Sequence, residues 1–457
     1  MTPRGEDQNT TAMIASSFRT VQDIYEYFLS FVNVEKGQTV EFKLDRMRQL
    51  ASDLGAPEAA CPCLHVAGSK GKGSVSVMLA RILEASGRRT GLYASPHILD
   101  YRERITRAGD FFPDEAYLTA MRELSPFVVG KGPESFAGAE LPSFFELTTL
   151  LAFLVFRGQA CDAAVYETGL GGRLDSTNIV TPVASAITTI ELEHTEYLGS
   201  TVRAIAGEKA GIIKPGRPVF TSARNPDAVS VFRDTARERG CDLSILYEDV
   251  ALDEIRVTRE GTEVVASFRD PDVFPEPVRL RTPMVGEIQA ENAAFAALIA
   301  RRSSFRVPQD AVLSGLSEAQ VLARFQILPG SPPIVLDGAH TPSSVSNVVD
   351  TFSRLFPGPA SLVFACAEDK HHAEMAGILR RSFRRVIITR PGTFKKSAPE
   401  AAGASFENAG FDVDLILDTQ EALREGLRTA EEHGRPLLVT GSFYLCAQAL
   451  ATFADRS

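Results

Sequence analysis

One glycine-rich segment constrains the fold of this chain more than any other feature. The segment HVAGSKGKGS (65–74) joins a short apolar run to a stretch of helical period. In such a strand–loop–helix unit, glycines let backbone N–H groups approach phosphate oxygens, and the helix N-terminus supplies positive potential. The segment therefore predicts a phosphate-binding loop, in which we assign phosphate contacts to Gly71, Lys72, Gly73 and Ser74.

The spacing within this loop narrows the class of protein. A strict Walker sequence places lysine directly before serine, whereas here Gly73 separates Lys72 from Ser74, which disfavours a plain kinase or GTPase. The alternative is a flexible turn without ligand. A turn without ligand would not need two lysines among its three glycines, so we favour phosphate binding.

Alternation of short β-branched runs with segments of helical period predicts an α/β fold with a mostly parallel sheet. The apolar run 147–156 is about half of the roughly 20 residues that a membrane helix needs, so we interpret it as a buried helix. The stretch 241–282, with several prolines, predicts a β-rich excursion. The predicted strands of the parallel pattern are 64–69, 90–95, 163–168, 184–190, 219–222, 334–336, 362–365, 386–389, 413–417 and 437–440.

A chain of 457 residues is too long for one ordinary core, so we expect two domains. We predict a disordered N-terminus (1–17), a nucleotide-binding P-loop domain (18–303), a linker region (304–323) and a smaller Rossmann-like α/β domain (324–457). The first seventeen residues lack the features of a signal peptide, so we expect a cytoplasmic protein.

Charge and cysteine content exclude several function classes. The net charge is −10, with 58 acidic against 48 basic side chains, which argues against a nucleic-acid partner. Nothing in the sequence predicts a membrane partner. The six cysteines do not form a disulfide framework, and Cys61 and Cys63 have no second Cys/His pair at metal-ligand spacing.

Eight segments together resemble the folylpolyglutamate synthase/dihydrofolate synthase family of the Mur ligase superfamily. They follow the family's order and cover nearly the whole chain from about residue 20 onward. The segments are HVAGSKGKGS (65–74), TGLYASPHILDYRERI (90–105), YETGLGGRLDSTNIV (166–180), EHTEYLGSTVRAIAGEKAGIIKPG (193–216), ENAAFAAL (291–298), ARFQI (323–327), LDGAHTP (336–342) and LLVTGSFYL (437–445).

A metal site is predicted near the loop. Glu167 ends an apolar strand, at the edge of a parallel sheet where ligands bind, and a carboxylate suits Mg²⁺. The resemblance implies that Glu167 and Ser95 hold one Mg²⁺, and that His194 and a carbamylated Lys209 hold a second. From the residues alone, Ser95 could merely satisfy its turn, His194 could be structural, and Lys209 could be a solvated surface lysine.

The resemblance also assigns substrate contacts. It implies ATP contacts for Asn292, Arg324, Asp337 and His340 and folate contacts for two further segments. Aromatic rings suit a flat pterin, although a Phe pair opening an apolar helix is as often part of the core. The implied folate contacts are Ser143, Phe144, Phe145, Glu146, Leu174, Asp175 and Ser176.

The activity that the resemblance implies is ATP-dependent ligation of L-glutamate to a reduced folate through an acyl phosphate, with Lys72, Lys209 and His194 as catalytic residues. The alternatives are another Mur-type ligase joining an amino acid to a different carboxylate, and a non-catalytic nucleotide-binding regulator. We expect a monomer, because two domains can complete the site.

Four positions depart from the family's pattern. Lys70, Glu193 and Thr341 replace the usual Asn, Asp and Asn. The segment resembling the family's dihydropteroate site contains Phe42, Lys43 and Leu44, and Lys43 stands where glycine is expected. We therefore predict polyglutamylation of reduced folates as the activity, and we predict that Lys43 narrows or alters the use of dihydropteroate.

Overall fold

The computed structural model of the protein describes residues 18–32, 43–392 and 396–454. The chain forms two compact units. The first unit contains the described residues up to Asp253, together with Val265–Leu280 and Glu291–Ala319. The second unit contains Glu254–Val264, Arg281–Ala290 and the described residues from Gln320 onward.

An eight-stranded sheet is the frame of the first unit. Its strands are β1 Cys63–Ala67, β2 Thr90–Tyr93, β3 Ile105–Arg107, β4 Asp110–Phe111, β5 Ala163–Glu167, β6 Ala184–Ile187, β7 Val219–Thr221 and β8 Leu243–Ile245. The order is β4-β3-β2-β5-β1-β6-β7-β8. Strand β3 runs antiparallel to both of its neighbours, β2 and β4, and the other pairings in this sheet are parallel.

Helices cover this sheet. The α-helices are α1 Val21–Leu29, α2 Lys43–Asp53, α3 Lys72–Ala85, α4 Asp114–Val128, α5 Phe144–Gly158, α6 Thr195–Leu198, α7 Val202–Ala210, α8 Pro226–Glu238, α9 Leu246–Asp249, α10 Glu287–Arg302 and α11 Gln309–Glu318. Short 3-10 helices span Pro57–Ala59, Tyr101–Arg104, Pro133–Ser135, Ala137–Ala139 and Ser176–Ile179. Helix α10 begins in residues of the second unit.

The sequence explains the elements around the loop. Every residue of β1 and β5 is buried, which fits central strands covered on both faces. Helix α3 begins after Gly71 and ends before Gly87, and both glycines have φ of 86°, a left-handed conformation that glycine adopts readily. The predicted buried helix 147–156 lies within α5, which Ser143 and Glu146 begin with a capping box.

The stretch predicted to be β-rich forms β8 and the strands β9 Val250–Thr258, β10 Gly261–Phe268 and β11 Val278–Thr282. The latter three make a separate sheet in the order β11-β10-β9.

The second unit has a six-stranded sheet of order β12-β13-β17-β14-β15-β16, parallel except for β12. Its strands are β12 Gln326–Leu328, β13 Ile334–Asp337, β14 Ser361–Phe364, β15 Arg385–Ile388, β16 Asp412–Leu415 and β17 Leu437–Thr440. Its helices are α12 Pro342–Leu355, α13 His372–Leu379, α14 Pro399–Asn408, α15 Thr419–His433 and α16 Phe443–Thr452. The predicted α/β class is thus confirmed.

The predicted linker region contains a helix that the sequence analysis did not assign. Helix α11 packs on α3 within the first unit, and a Cβ added at Gly315 would lie only 2.4 Å from Ile82 Cα. The glycine therefore permits close helix contact. The predicted domain limits remain a prediction, and the N-terminal segment 1–17 lies outside the described residues.

Within the described parts of the chain, no helix combines the length and apolar character that crossing a membrane requires.

Candidate active site

The glycine-rich loop is hydrogen-bonded to the residues that follow the neighbouring strand β6. Ser69 N donates to Thr189 O at 2.7 Å, and Thr188 Oγ1 donates to Lys70 O at 2.7 Å. Gly68 has φ of 145°, and a Cβ there would lie 1.8 Å from Thr188 Oγ1. Any side chain at position 68 would therefore displace the loop.

Two residues predicted to contact nucleotide lie at this loop. Lys72 Nζ donates to Gly68 O at 2.8 Å, which holds its ammonium group over the loop. Asn292 Oδ1 lies 2.9 Å from the position that a Cβ on Gly71 would take. The structure therefore brings Asn292, more than two hundred residues away in sequence, to the N-terminus of α3.

The predicted carboxylate ligand faces the same helix start. Glu167 ends β5 and is 3% exposed. Both of its oxygens lie 3.8 Å from the position that a Cβ on Gly73 would take. Ser95 N donates to Glu167 Oε2 at 3.3 Å. Glu167, Ser95 and the start of α3 thus meet at the carboxyl ends of β1, β2 and β5.

Lys209 is buried at the loop. Its side chain is 1% exposed, and Nζ donates to Gly68 O at 2.9 Å and to Glu193 Oε1 at 3.1 Å. Burial and the neighbouring Lys72 lower the pKa of Lys209 to about 8, while Glu193 opposes that shift. The alternative of a solvated surface lysine is therefore wrong, because helix α7 places the Lys209 side chain against the loop, where it is buried.

Glu193, noted in the sequence only as a departure, is the ionic partner of Lys209. Burial alone would raise the pKa of the Glu193 carboxyl. The positive charges of Lys209, Lys72 and Lys70 have a larger, opposite effect, so the pKa lies below its usual value. Glu193 therefore stays ionised beside the lysine. Only its place next to His194 hinted at the site in the sequence.

His194 is exposed at the start of α6, with φ of 48°. Among the residues that the structure describes, no group of three or more His, Cys, Asp and Glu side chains is arranged to hold a metal ion. Of the four predicted metal ligands, two have side chains of these types, namely Glu167 and His194. Their shared role remains a prediction.

The second unit gathers its three predicted nucleotide residues around β13. Asp337 accepts from Phe325 N at 2.7 Å and from Ala339 N at 2.8 Å. Burial raises the pKa of Asp337, against the lowering effect of Arg324 and the two backbone N–H groups.

A phenylalanine completes this group. The guanidinium of Arg324 lies 4.5 Å from the centre of the Phe443 ring, and His340 packs edge-on against that ring at 5.9 Å. His340 Nδ1 donates to Gly338 O at 2.8 Å, which orients the imidazole. Sequence reasoning assigned no role to Phe443, although it lies within the LLVTGSFYL segment.

The predicted folate residues lie around the start of α5 and the loop after β5. A Cβ on Gly169 would lie 2.6 Å from Phe145 Cζ, so this aromatic ring packs against the loop. Asp175 accepts from Gly169 N at 2.9 Å and from Leu170 N at 3.0 Å. Burial raises the pKa of Asp175 despite these hydrogen bonds and those of Thr177.

The remaining predicted pterin and folate residues differ in their surroundings. Phe144 is half-buried beneath the Arg104 guanidinium, which lies 5.2 Å from the ring centre. Glu146 and Ser176 are buried, and Leu174 and Leu44 are half-buried. Phe42 and the side chain of Lys43 lie outside the described residues.

The chain contains two Mur ligase domains, which identifies its class as a Mur-type ligase. The Mur ligase middle domain model matches residues 66–300, and the Mur ligase, glutamate ligase domain model matches residues 323–443. Within the Mur ligase superfamily, the chain belongs to the folylpolyglutamate synthase/dihydrofolate synthase family, as the sequence motifs predicted. It is 34% identical to the dihydrofolate synthase/folylpolyglutamate synthase of Bacillus subtilis over 88% of this chain and 92% of that protein.

Two further comparisons agree. A probable bifunctional folylpolyglutamate synthase/dihydropteroate synthase of Haloferax volcanii is 34% identical over 90% of this chain. The chain spans about half the length of that relative, 48%. The crystal structure of Mycobacterium tuberculosis folylpolyglutamate synthase complexed with ADP and AMPPCP superposes with a TM-score of 0.81, at 26% identity, over 90% of this chain and 95% of that chain.

Proposed function

We propose that this protein is an ATP-dependent ligase that adds L-glutamate to a tetrahydrofolate. The observation that carries the proposal is the convergence of Lys72, Lys209 and Glu167 on one glycine-rich loop. Membership of the family supplies the substrate class, because its named members are folylpolyglutamate and dihydrofolate synthases. The nucleotide complexes of a relative support ATP as the phosphoryl donor.

The reaction proceeds in two steps. A carboxylate oxygen of the folate attacks the γ-phosphorus of ATP, which forms an acyl phosphate and releases ADP. The neutral amine of glutamate then attacks the acyl carbon, the C–O bond to phosphate breaks, and the amine loses a proton to give the amide. Catalysis of this type rests on positioning and on neutralising the charge of the transferring group.

Residues of the loop perform much of that work. The backbone N–H groups of Gly71 to Ser74, at the start of α3, suit the phosphate oxygens, and Lys72 neutralises the terminal phosphate. We assign Asn292, Arg324, Asp337 and His340 to nucleotide contacts as well. Arg324 rests on Phe443, which restricts its orientation.

The residues present fit Mg²⁺. Glu167 is a buried carboxylate beside the helix start where the phosphates are expected, and Ser95 lies next to it. Such oxygen ligands suit this hard cation. Bound there, Mg²⁺ would neutralise phosphate charge and polarise the transferring phosphoryl group. His194 and Lys209 are the candidates for a second Mg²⁺.

Carbamylation of Lys209 is supported by its surroundings. Only a neutral amine reacts with CO₂, and a pKa of about 8 instead of 10.5 raises the neutral fraction at pH 7 by about two orders of magnitude. The carbamate would replace a cation by an anion with two oxygens, which suits a metal site.

Dihydropteroate is the second candidate substrate, because the Bacillus subtilis relative is named for both synthase activities. Lys43 weakens this candidate, since it stands where the family has glycine. Another Mur-type amino-acid ligase is the alternative function. We further propose a cytoplasmic monomer that acts on small molecules and not on nucleic acid.

Phosphate release tests the proposal. The purified protein is assayed with Mg-ATP and L-glutamate, adding tetrahydrofolate, dihydropteroate or neither, with Lys209→Ala in parallel. Release that requires tetrahydrofolate and is lost in the variant is the expected result. Lack of stimulation by either pterin would show that the substrate assignment is wrong.

A further inference from the structure

A fully buried ion pair joins helices α2 and α5 in the first unit. Arg46 Nε and Nη2 each lie 2.9 Å from a different carboxylate oxygen of Glu146, and both side chains are 0% exposed. Arg46 Nη1 lies 3.3 Å from Glu140 Oε2. Two parallel charged hydrogen bonds restrict both the distance and the relative orientation of the groups that they join.

The pair lies where three predicted substrate segments meet. Arg46 is two residues after Leu44, which the family resemblance assigns to dihydropteroate. Glu146 is the last residue of the folate segment that begins at Ser143. Helix α2 also contacts the 3-10 helix that begins at Ser176, a residue of the third segment.

Both carboxylate oxygens of Glu146 accept hydrogen bonds from within the protein. Its Oε2 accepts from Ser143 N at 2.8 Å in addition to Arg46, and its Oε1 accepts from Arg46 Nε. The carboxylate therefore joins the start of α5 to α2. Its 0% exposure argues against the direct folate contact that the resemblance implies.

Stability alone does not account for this pair. Met47, Leu50 and Leu147 belong to the same buried apolar cluster, so the helices already pack through hydrophobic contacts. Replacing two buried charges by apolar side chains of similar volume is often neutral or stabilising, because burial removes the hydration of both charges. What the pair adds is a fixed geometry.

We propose that Arg46 and Glu146 are positioning residues for the pterin substrate. They act by holding Leu44, Ser143 and Ser176 in register, and they do not touch the substrate themselves. The inference rests on the proposed folate function. It predicts that loss of the pair raises KM for the folate and leaves KM for ATP unchanged, because the phosphate-binding loop does not depend on this ion pair.

The test uses variants that keep the helices packed. The double variant Arg46→Met with Glu146→Leu replaces both charged groups by apolar side chains of similar volume. Arg46→Lys keeps a charge but loses the two-point geometry. Arg157→Met is the matched control, because Arg157 Nη1 donates to Leu54 O at 2.8 Å and so links the other ends of the same two helices.

We expect the double variant to melt cooperatively like the parent protein while KM for tetrahydrofolate rises about tenfold and KM for ATP changes less than about twofold. Arg46→Lys should give an intermediate KM, and Arg157→Met a normal one. An unchanged folate KM in the folded double variant would overturn the inference. So would a parallel rise in both KM values.

The proposed function fails by a different outcome. If the parent protein itself releases no phosphate in response to tetrahydrofolate, the substrate assignment is wrong, and the positioning role falls with it.

Discussion

Lys209 Nζ lies 2.9 Å from the carbonyl oxygen of Gly68, so a buried lysine is hydrogen-bonded to the glycine-rich loop. Lys72 Nζ donates to the same oxygen at 2.8 Å. Two amines thus share one acceptor, and the positive charge of one disfavours that of the other. The charge state of Lys209 is therefore the property of this site that is most open to experiment.

The stability of the protein should depend on pH through Lys209. Its pKa is about 8 in the folded protein and 10.5 in an ordinary exposed lysine. Between these values the unfolded chain binds more protons, so the free energy of unfolding contributed by this group rises with pH. Well below pH 8 the lysine is protonated in both states, and the slope vanishes.

Urea denaturation in CO₂-depleted buffer checks this prediction. The difference in unfolding free energy between the parent protein and Lys209→Met should grow in favour of the parent by up to about 1.4 kcal/mol per pH unit between about pH 8 and pH 10. Lys214, whose pKa burial also lowers to about 8, is present in both proteins and cancels. A difference that does not change with pH would contradict the assignment.

Replacement of Lys72 should abolish most phosphate release. Lys72→Met removes the cation that we assign to the terminal phosphate, and we expect a loss of about 10²-fold to 10³-fold in kcat. Lys70→Asn, two residues away, restores the residue usual in the family and should keep activity within about threefold, because the loop is held there by the backbone of Lys70. Equal losses in both variants would show that Lys72 has no special role.

The sequence predicted the local parts of this molecule well. The parallel strands appear within a few residues of their predicted limits because they are continuous apolar runs bounded by turns. The loop at 65–74 was recognisable because its chemistry depends on consecutive residues. Both depend on short-range pattern, which one sequence contains.

Contacts between distant residues could not be predicted in this way. Arg46 and Glu146 are 100 residues apart, and each alone resembles an ordinary charged helix residue. Lys209 lies in a helix of mixed polarity, and only the fold shows that it is buried. Likewise, the boundary between the two units falls within strand β9. This strand begins in the first unit and continues into Glu254–Val264, which belongs to the second unit.

The close contact between α11 and α3 should make position 315 intolerant of any side chain. In Gly315→Ala the new Cβ would lie 2.4 Å from Ile82 Cα, so we expect a loss of about 1–3 kcal/mol in unfolding free energy. Gly207→Ala is the control, since Gly207 also lies inside a helix but has no atom within 4 Å of the added Cβ. There alanine should stabilise the protein by about 0.5–1 kcal/mol, as its helix propensity exceeds that of glycine. Thermal melts that shift equally would contradict the packing argument.

Lys43 should limit the use of dihydropteroate. The family resemblance predicts glycine at this position, whereas here a lysine is the first residue of helix α2. We expect the parent protein to prefer tetrahydrofolate, and Lys43→Gly to raise kcat/KM for dihydropteroate about tenfold while tetrahydrofolate use changes less than about threefold.

Arg48→Gly, which places glycine at an exposed position of the same helix, controls for loss of helix stability. If both variants changed the two kcat/KM values alike, the effect would come from the helix and not from the side chain at position 43. Equal activity of the parent protein on the two pterins would also contradict the prediction, because Lys43 would then not hinder dihydropteroate.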